Sequence, residues 1–119
     1  MLNIGTDCSG IESPIEAMKK ISSKYNIVYN HSFSSEIDKF AIKYINANHS
    51  PDILFNDIKN RNCSDIPNID IYIAGFPCQP YSRANKFKLD VDPRTDLFHS
   101  CADVIHSKLP KIFILENVK

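Results

Sequence analysis

Short apolar stretches alternate with amphipathic ones along the whole chain. The apolar stretches predict five strands, at residues 2–6, 27–34, 53–55, 69–74 and 111–115. Strands that alternate with helices through short links are typical of right-handed βαβ units. The pattern therefore predicts an α/β fold with a mostly parallel sheet and helices on both faces.

Three helices are predicted between these strands. The first begins at Ser13, where serine at the cap, Pro14 in the first helical position and Glu16 three residues after the cap form a capping box. The second covers residues 37–48, and its apolar positions lie on one face: Ile37, Phe40, Ala41, Tyr44 and Ile45. The third begins at Thr95 or Asp96 and ends before Pro110, with an apolar face made of Leu97, Phe98, Cys101, Val104 and Ile105.

Polar residues collect where the predicted strands end. Ligands of parallel α/β sheets bind beyond the carboxyl ends of the strands. A polar residue follows each strand in turn: Asp7, Ser9 and Gly10 after the first, then Glu36, Asp57, Cys78 and Glu116. This arrangement predicts a single functional cleft at one edge of the sheet.

The composition excludes several classes of protein. A chain of 119 residues with 43% hydrophobic residues is long enough for one domain with a real core. The formal net charge is zero, from 14 basic and 14 acidic residues, so no global attraction to nucleic acid is expected. We expect an intracellular protein, because no signal-peptide pattern and no apolar run of membrane length occurs.

The cysteines do not form a metal-binding or disulfide pattern. The chain has four of them without a C-x-x-C pair, at Cys8, Cys63, Cys78 and Cys101. His99, Cys101 and His106 can face one another on a helix, but no fourth ligand completes a zinc set. We therefore predict neither a disulfide framework nor a metal site.

Cys78 lies in an unusual segment, Gly75-Phe76-Pro77-Cys78-Gln79-Pro80-Tyr81-Ser82, directly after the fourth strand. The two prolines stiffen the backbone and keep the cysteine out of a helix. A free cysteine is most often a small buried hydrophobe. The stiff loop and the polar Gln79 and Ser82 favour a thiol that reaches a substrate instead. Arg83, Lys86 and Lys88 follow, and they form either a solvated loop or a phosphate contact.

The acidic residues of the cleft indicate the kind of ligand. The loop after the first strand lacks both G-x-G-x-x-G and a phosphate-binding Gly-Lys-Ser/Thr. Glu36 is placed to accept hydrogen bonds from ribose hydroxyls, and Asp57 to accept one from an adenine amino group. The structural alternatives are helix capping for Glu36 and a turn for Asp57. Together the two acids favour an adenosine ligand without a diphosphate, and S-adenosyl-L-methionine fits that description.

Several segments resemble the cytosine-C5 DNA methyltransferase family, in the family's order. The segment 75–82 is similar to its catalytic motif, and Glu116-Asn117-Val118 to its second catalytic motif. Three further segments, at 35–38, 56–58 and 92–98, resemble the ribose-binding, adenine-binding and pre-helix segments. The resemblance covers nearly all of the chain. It implies a Rossmann-like S-adenosylmethionine-dependent methyltransferase fold, incomplete at the carboxyl end, with residues 1–119 as a single partial catalytic domain.

The resemblance also implies roles for individual residues. Cys78 would add to cytosine C6, and Glu116, as a buried protonated acid, would supply a proton at N3. The residues implied to bind the cofactor are Asp7, Cys8, Ser9, Gly10, Ile11, Glu36, Ile37, Asp57, Ile58 and Pro77. Those implied to bind the substrate are Gln79, Ser82, Arg83 and Asn117. The expected partner is DNA with the target cytosine flipped out of the duplex.

The chain departs from the family pattern in two places. Where the family has Phe-x-Gly-x-Gly-Gly, this chain has Cys8-Ser9-Gly10-Ile11-Glu12-Ser13. The arginine-bearing segment and the target-recognition region that follow Glu116-Asn117-Val118 in the family are absent from this sequence. We therefore expect a second chain to supply the remaining strands. Two alternatives are an inactive remnant or interaction subunit, and an enzyme that methylates RNA cytosine.

Overall fold

A computed structural model describes residues 1–77 and 95–117, except for the side chains of Thr95 and Asp96. The described residues form one parallel sheet of five strands in the order β3-β2-β1-β4-β5. The strands are β1 (Leu2–Asp7), β2 (Tyr29–Ser35), β3 (Ile53–Phe55), β4 (Ile71–Ala74) and β5 (Ile112–Leu115). The predicted α/β fold with a parallel sheet is confirmed, and the strand order places the carboxyl ends of β1 and β4 side by side.

Helices connect these strands at nearly the predicted positions. They are α1 (Ser13–Tyr25), α2 (Lys39–Asn48) and α3 (Thr95–Lys108), and a short 3₁₀ turn (Cys63–Asp65) precedes β4. Among the described residues, no helix is both long enough and apolar enough to cross a membrane. The third helix ends before Pro110 as predicted, through Leu109 in a left-handed conformation with φ 48°.

The predicted capping box at the start of α1 is wrong. The cap is Glu12 and not Ser13, and its side chain makes no capping hydrogen bond. The carbonyl of Glu12 accepts the amide protons of Ile15 and Glu16, so the helix begins one residue earlier than its sequence indicates. Glu16 therefore does not reach back to a cap. It pairs instead with Lys19 at the surface.

The predicted start and apolar face of α2 also need correction. The helix begins at Lys39, and Asp38 caps it by accepting hydrogen bonds from the amides of Phe40 and Ala41. Only Ile45 of the predicted face is buried among the helical residues, whereas Ile37 is 70% exposed and Phe40 is 79% exposed. Periodicity located the helix, but it did not show how much of this face is exposed.

The core lies on both faces of the sheet. On one face, Ile15 and Met18 of α1 pack on Ile4. On the other face, Cys101 and Val104 of α3 pack into a larger cluster that includes Phe33, Ile66, Tyr72 and Phe76. In β4, Ile71 packs against the cluster of α1 and the next residue, Tyr72, belongs to the cluster of α3. Because successive side chains of a strand point to opposite faces, α1 and α3 lie on opposite sides of the sheet. This layering leaves the carboxyl ends of the strands open for a ligand.

Candidate functional site

A cavity of about 430 Å³ opens at the carboxyl edge of the sheet. Its lining residues are Cys8, Ser35, Glu36, Ile37, Asn56, Asp57, Ile58, Lys59, Gly75, Pro77 and Leu97. The predicted cofactor residues Cys8, Glu36, Ile37, Asp57, Ile58 and Pro77 are therefore brought together. Asp7, Ser9, Gly10 and Ile11 are not in the lining. Six of the ten residues predicted to bind a cofactor therefore line the cavity, and their role in binding stays a prediction.

Glu36 is held at the mouth of the cavity by backbone amides. Its Oε2 accepts a hydrogen bond from the amide of Gly10 at 2.7 Å. Its Oε1 accepts from the amides of Ile37 and Asp38, both at 2.9 Å. Capping of α2 is the task of Asp38, so the structural alternative considered for Glu36 does not apply. The carboxylate is thereby fixed at the first turn after β2, in the wall of the cavity.

Asp57 combines a turn with a place in the cavity wall. Its Oδ1 accepts the amide of Lys59 and its Oδ2 accepts the side-chain amide of Asn60, both at 2.9 Å. The structural alternative of a turn is therefore correct. Because Asp57 also lines the cavity beside Ile58, the turn is what presents it to a ligand.

The loop between β1 and α1 has an unusual backbone. Cys8, Gly10 and Glu12 all have left-handed conformations, with φ of 51°, 55° and 62°. A left-handed conformation costs roughly 1–2 kcal/mol for a residue other than glycine. Ser9, which lies between Cys8 and Gly10, is buried. Its hydroxyl is hydrogen-bonded to Thr6 and to the backbone amide and carbonyl of Ser35. These contacts hold the loop against the ends of β1 and β2.

Glu12 is completely buried at the end of this loop. Its Oε1 accepts hydrogen bonds from Thr6 Oγ1 at 2.7 Å and Ser34 Oγ at 2.5 Å, and His31 Nε2 lies 3.5 Å away. Burial favours the neutral acid, but the contacts with His31, Ser34 and Thr6 outweigh that effect and lower the pKa of Glu12 below its usual value. Sequence reasoning noted only that Glu12 replaces a glycine and missed this buried cluster.

Asp7 is buried and does not line the cavity. Both of its carboxylate oxygens accept hydrogen bonds from Arg61, and Oδ2 also accepts the hydroxyl of Tyr72 at 2.5 Å. Burial first, and then the charge of Asp7, raise the pKa of Tyr72, so this hydroxyl remains a donor. The carboxylate of Asp7 is thus occupied by the protein itself.

Arg61 joins the elements that surround the cavity, and sequence reasoning missed it. Its side chain is only 5% exposed, its guanidinium lies 5.3 Å from the ring centres of both Phe33 and Phe55, and it donates to Ser35 Oγ as well as to Asp7. Burial opposes the charge, but the hydrogen bonds and charge of Asp7 outweigh it and raise the pKa of Arg61. One side chain therefore ties the ends of β1, β2 and β3 to the loop that carries Asp57.

Cys8 lies in the cavity wall, where the family pattern has an aromatic residue. Burial, followed by the neighbouring Cys101 and Asp7, raises the pKa of the Cys8 thiol to about 12. The thiol is therefore neutral near pH 7 and offers a small apolar surface. It is not a nucleophile in this environment.

Glu116 and Asn117 lie beside the segment that leads to Cys78. The Glu116 amide donates to the carbonyl of Ala74 at 3.0 Å, and Glu116 Oε2 lies 3.7 Å from the position of a Cβ built on Gly75. Asn117 Nδ2 donates to the carbonyl of Phe76 at 3.4 Å. Glu116 itself is exposed, so the burial expected from the sequence is not provided by the described residues.

The remaining predicted residues lie outside the described part of the chain. These are Cys78, Gln79, Ser82 and Arg83, together with Lys86 and Lys88. Within residues 1–77 and 95–117, no group of three or more His, Cys, Asp and Glu side chains is arranged to hold a metal ion.

The sequence is similar to a family of known proteins and to individual curated members. The model of the family described as C-5 cytosine-specific DNA methylase matches residues 6–119. The type II methyltransferase M.NlaX of Neisseria lactamica is 46% identical over 87 residues, which are 73% of this chain and 28% of that protein. The type II methyltransferase M1.ScrFI of Lactococcus lactis subsp. cremoris is 51% identical over 87 residues, covering 73% of this chain and 22% of that protein.

A solved structure agrees at the level of the fold. The Dnmt2 methyltransferase of S. pombe superposes on the whole chain with a TM-score of 0.70 at 24% sequence identity, and the match covers 37% of that protein. The chain therefore spans between about a fifth and two fifths of the length of these three proteins.

Proposed function

Because this chain belongs to the C-5 cytosine-specific DNA methylase family, we propose that it forms the donor-binding and nucleophile half of a DNA (cytosine-5-)-methyltransferase. In this proposal, a methyl group passes from S-adenosyl-L-methionine to C5 of a flipped cytosine while Cys78 is bound covalently to the base. The matched segments cover only 28% of M.NlaX and 22% of M1.ScrFI, so the proposed half acts as a fragment of a longer enzyme or together with a second chain.

One observation carries the proposal. The same edge of the sheet holds the cavity with Glu36 and Asp57, and it also holds Glu116 next to Gly75, three residues before Cys78. The ends of β4 and β5 are hydrogen-bonded neighbours, so Glu116 and residues 75–77, which precede Cys78 in the sequence, follow adjacent strand ends. A donor cavity and a nucleophile loop at adjacent strand ends are what methyl transfer to a base requires.

The cavity fits an adenosine-containing methyl donor. Its volume of about 430 Å³ lies within the range of roughly 300–1,000 Å³ typical of small-ligand pockets. The Glu36 carboxylate accepts hydrogen bonds from ribose hydroxyls, and Asp57 accepts one from the adenine amino group. Ile37 and Ile58 provide apolar walls for the adenine ring. S-adenosyl-L-methionine supplies an electrophilic methyl group when it is bound.

The chemistry needs a nucleophile and an acid on opposite parts of the cytosine ring. The Cys78 thiolate forms a bond to C6, and the displaced electron pair is neutralised by proton donation from Glu116 to N3. C5 becomes electron-rich and accepts the methyl group. Loss of the C5 proton to water then expels the Cys78 thiolate as the S–C6 bond breaks. The proton on N3 returns to Glu116, and the enzyme is restored.

The exposed position of Glu116 is consistent with a site that closes on DNA. A cytosine extruded from the duplex covers the strand ends and supplies the burial that the acid needs. The residues proposed to contact the flipped base and its phosphates are Gln79, Ser82, Arg83 and Asn117. In this proposal, the bound DNA both supplies the reacting cytosine and buries Glu116.

Among the described residues, β5 is an edge strand of the sheet. Ile112, Phe113 and Ile114 of β5 are 54%, 53% and 51% exposed, although both faces of this strand are apolar. An exposed apolar edge strand readily pairs with another strand. We propose that the carboxyl-terminal part of the enzyme, in the same chain or in a second one, pairs with β5 and covers these side chains.

The donor assignment predicts a specific loss of affinity. Replacement of Glu36 with glutamine removes a charged acceptor and turns an NH2 group toward backbone amides that donate to Glu36, either that of Gly10 or those of Ile37 and Asp38. Hydrogen bonds to charged groups contribute about 1.5–3 kcal/mol, so the Kd for S-adenosyl-L-methionine should rise about 10- to 100-fold in calorimetric titration. The matched control is Asp38→Asn, since asparagine also caps helices and Asp38 is not in the cavity wall. Equal affinity of Glu36→Gln and the parent protein would remove Glu36 from the ribose site.

Covalent trapping tests the reaction itself. The protein is mixed with S-adenosyl-L-methionine and DNA that contains 5-fluorocytosine, with and without a carboxyl-terminal partner. Fluorine at C5 cannot leave as a proton does, so Cys78 should remain bound to the base as an adduct that survives denaturant. Cys78→Ser should abolish the adduct completely.

The pattern of adducts separates the alternatives. An adduct formed only with the partner would identify a split enzyme, and an adduct formed with a 5-fluorocytosine RNA but not with DNA would replace the DNA substrate by RNA. Binding of the donor without an adduct on either nucleic acid would identify an inactive remnant, and the proposed reaction would then be wrong.

A further inference from the structure

We propose that Glu12 is a positioning residue for the methyl-donor cavity, because its buried carboxylate fixes the loop of residues 8–11 in the conformation that receives the donor. The identity of the ligand rests on the proposed function, whereas the fixing of the loop does not. The family pattern has glycine at this position, so the role belongs to this chain's own residues.

The side chain of Glu12 anchors one end of the loop to two strands. Its Oε1 accepts the hydroxyl of Thr6 in β1 and the hydroxyl of Ser34 in β2. Its amide donates to the carbonyl of Ser9 at 2.9 Å, which closes a turn over the loop. Glu12 has φ 62°, a strained conformation that glycine adopts without cost, and the hydrogen bonds of its carboxylate act together with those of its backbone to hold it there.

The position of this loop determines the position of two groups at the cavity, the Cys8 side chain and the Glu36 carboxylate. Asp7 is fixed at the other end by Arg61, so residues 8–11 run between two buried anchors. Between them, the Cys8 side chain lines the cavity and the Gly10 amide donates to Glu36 Oε2. Release of the Glu12 anchor would therefore move the wall residue Cys8 and free the carboxylate proposed to bind ribose.

Only one oxygen of the Glu12 carboxylate is used. Among the described residues, Oε2 is buried and has no hydrogen-bond partner, while Oε1 accepts both hydroxyls. Glutamine can place its carbonyl oxygen at the Oε1 position and keep both hydrogen bonds. The proposal therefore makes acceptance of these two hydrogen bonds, and not negative charge, the feature that matters.

Four variants test the role through donor binding. Titration with S-adenosyl-L-methionine, well below the unfolding temperature, should give a Kd raised at least tenfold in Glu12→Ala and in Glu12→Gly. Glu12→Gln should stay within threefold of the parent protein. Glu16→Ala removes a carboxylate one helical turn away, at the surface, and should leave the Kd unchanged. Glycine relieves the backbone strain, so loss of affinity in Glu12→Gly without loss of thermal stability separates positioning from a merely structural role.

Hydrogen exchange tests the same role without a ligand. In the free protein, the amides of Ser9 and Gly10 are hydrogen-bonded to Ser35 and Glu36. Their exchange should be at least tenfold faster in Glu12→Ala than in the parent protein and Glu12→Gln, while the amides of β4 remain protected. Unchanged exchange in Glu12→Ala, or a glutamine variant as impaired as alanine, would overturn the inference. If the parent protein binds no donor but exchange behaves as expected, the proposed ligand is wrong and the positioning role stands.

Discussion

Replacement of Arg61 with methionine is expected to destabilise the protein by about 3–5 kcal/mol, because it leaves the buried carboxylate of Asp7 without its cation. That is a large part of the roughly 5–15 kcal/mol by which domains are usually stable. Tyr72 would still donate one hydrogen bond to Asp7, but the two hydrogen bonds from the guanidinium would be lost. Urea unfolding followed by circular dichroism measures the change in the free energy of unfolding.

A surface pair in the same chain provides the matched control. Lys111 Nζ lies 2.8 Å from Asp70 Oδ1, and the lysine side chain is 76% exposed. Lys111→Met removes a basic partner of an aspartate just as Arg61→Met does, but water solvates the remaining carboxylate. This variant should leave the unfolding midpoint nearly unchanged. If the two variants lose equal stability, Arg61 does not compensate a buried charge.

A double variant shows whether charge compensation is the cause. Asp7→Asn keeps an oxygen for the Tyr72 hydroxyl but leaves Arg61 buried without its counterion. With both substitutions, Asp7→Asn and Arg61→Met, this buried pair no longer leaves a charge without its counterion. The double variant should therefore be more stable, by about 2 kcal/mol or more, than the sum of the single changes predicts.

Arg61 also illustrates what the sequence did not reveal about the site. Residues that follow strand ends in a predicted parallel sheet can be assigned to one edge, and Glu36 and Asp57 indeed line the cavity there. The same reasoning placed Asp7 in the cavity, because the position at the strand end does not show which way a side chain points. Arg61 lies in a loop without a recognisable motif, and only the three-dimensional packing of Phe33 and Phe55 around it reveals its role.

The fold was more predictable than the helix ends. Five apolar stretches separated by helical periodicity were sufficient for the parallel sheet, since few topologies satisfy right-handed crossovers. The start of α1 was not predictable, because Ser13, Pro14 and Glu16 form a good local capping signal that a tertiary contact overrides. The buried hydrogen bonds of Glu12 with Thr6 and Ser34 fix its backbone as the cap instead.

Gly5→Ala should be the other strongly destabilising substitution in the described core. A Cβ built on Gly5 would lie 2.0 Å from Phe33 Cε1 and 2.6 Å from two other atoms of that ring. Phe33 cannot move away easily, since it is completely buried and lies against the rings of Phe55 and Tyr72. Overpacking of a core usually costs about 1–3 kcal/mol, and this contact lies at the upper end of that range.

The cause of that loss can be tested through the ring itself. Gly5 carries no side chain because the Phe33 ring occupies the space above its Cα, and the same ring lies under the guanidinium of Arg61. Phe33→Leu removes the atoms that the new methyl group would meet, so it should recover part of the stability lost in Gly5→Ala when the two changes are combined. Gly75→Ala is the control, because the nearest atom of the described residues, Glu116 Oε2, would lie 3.7 Å from the added methyl group, which is an ordinary contact. If Phe33→Leu and Gly5→Ala are simply additive, the loss comes from the backbone of β1, and the ring is not what requires glycine at this position.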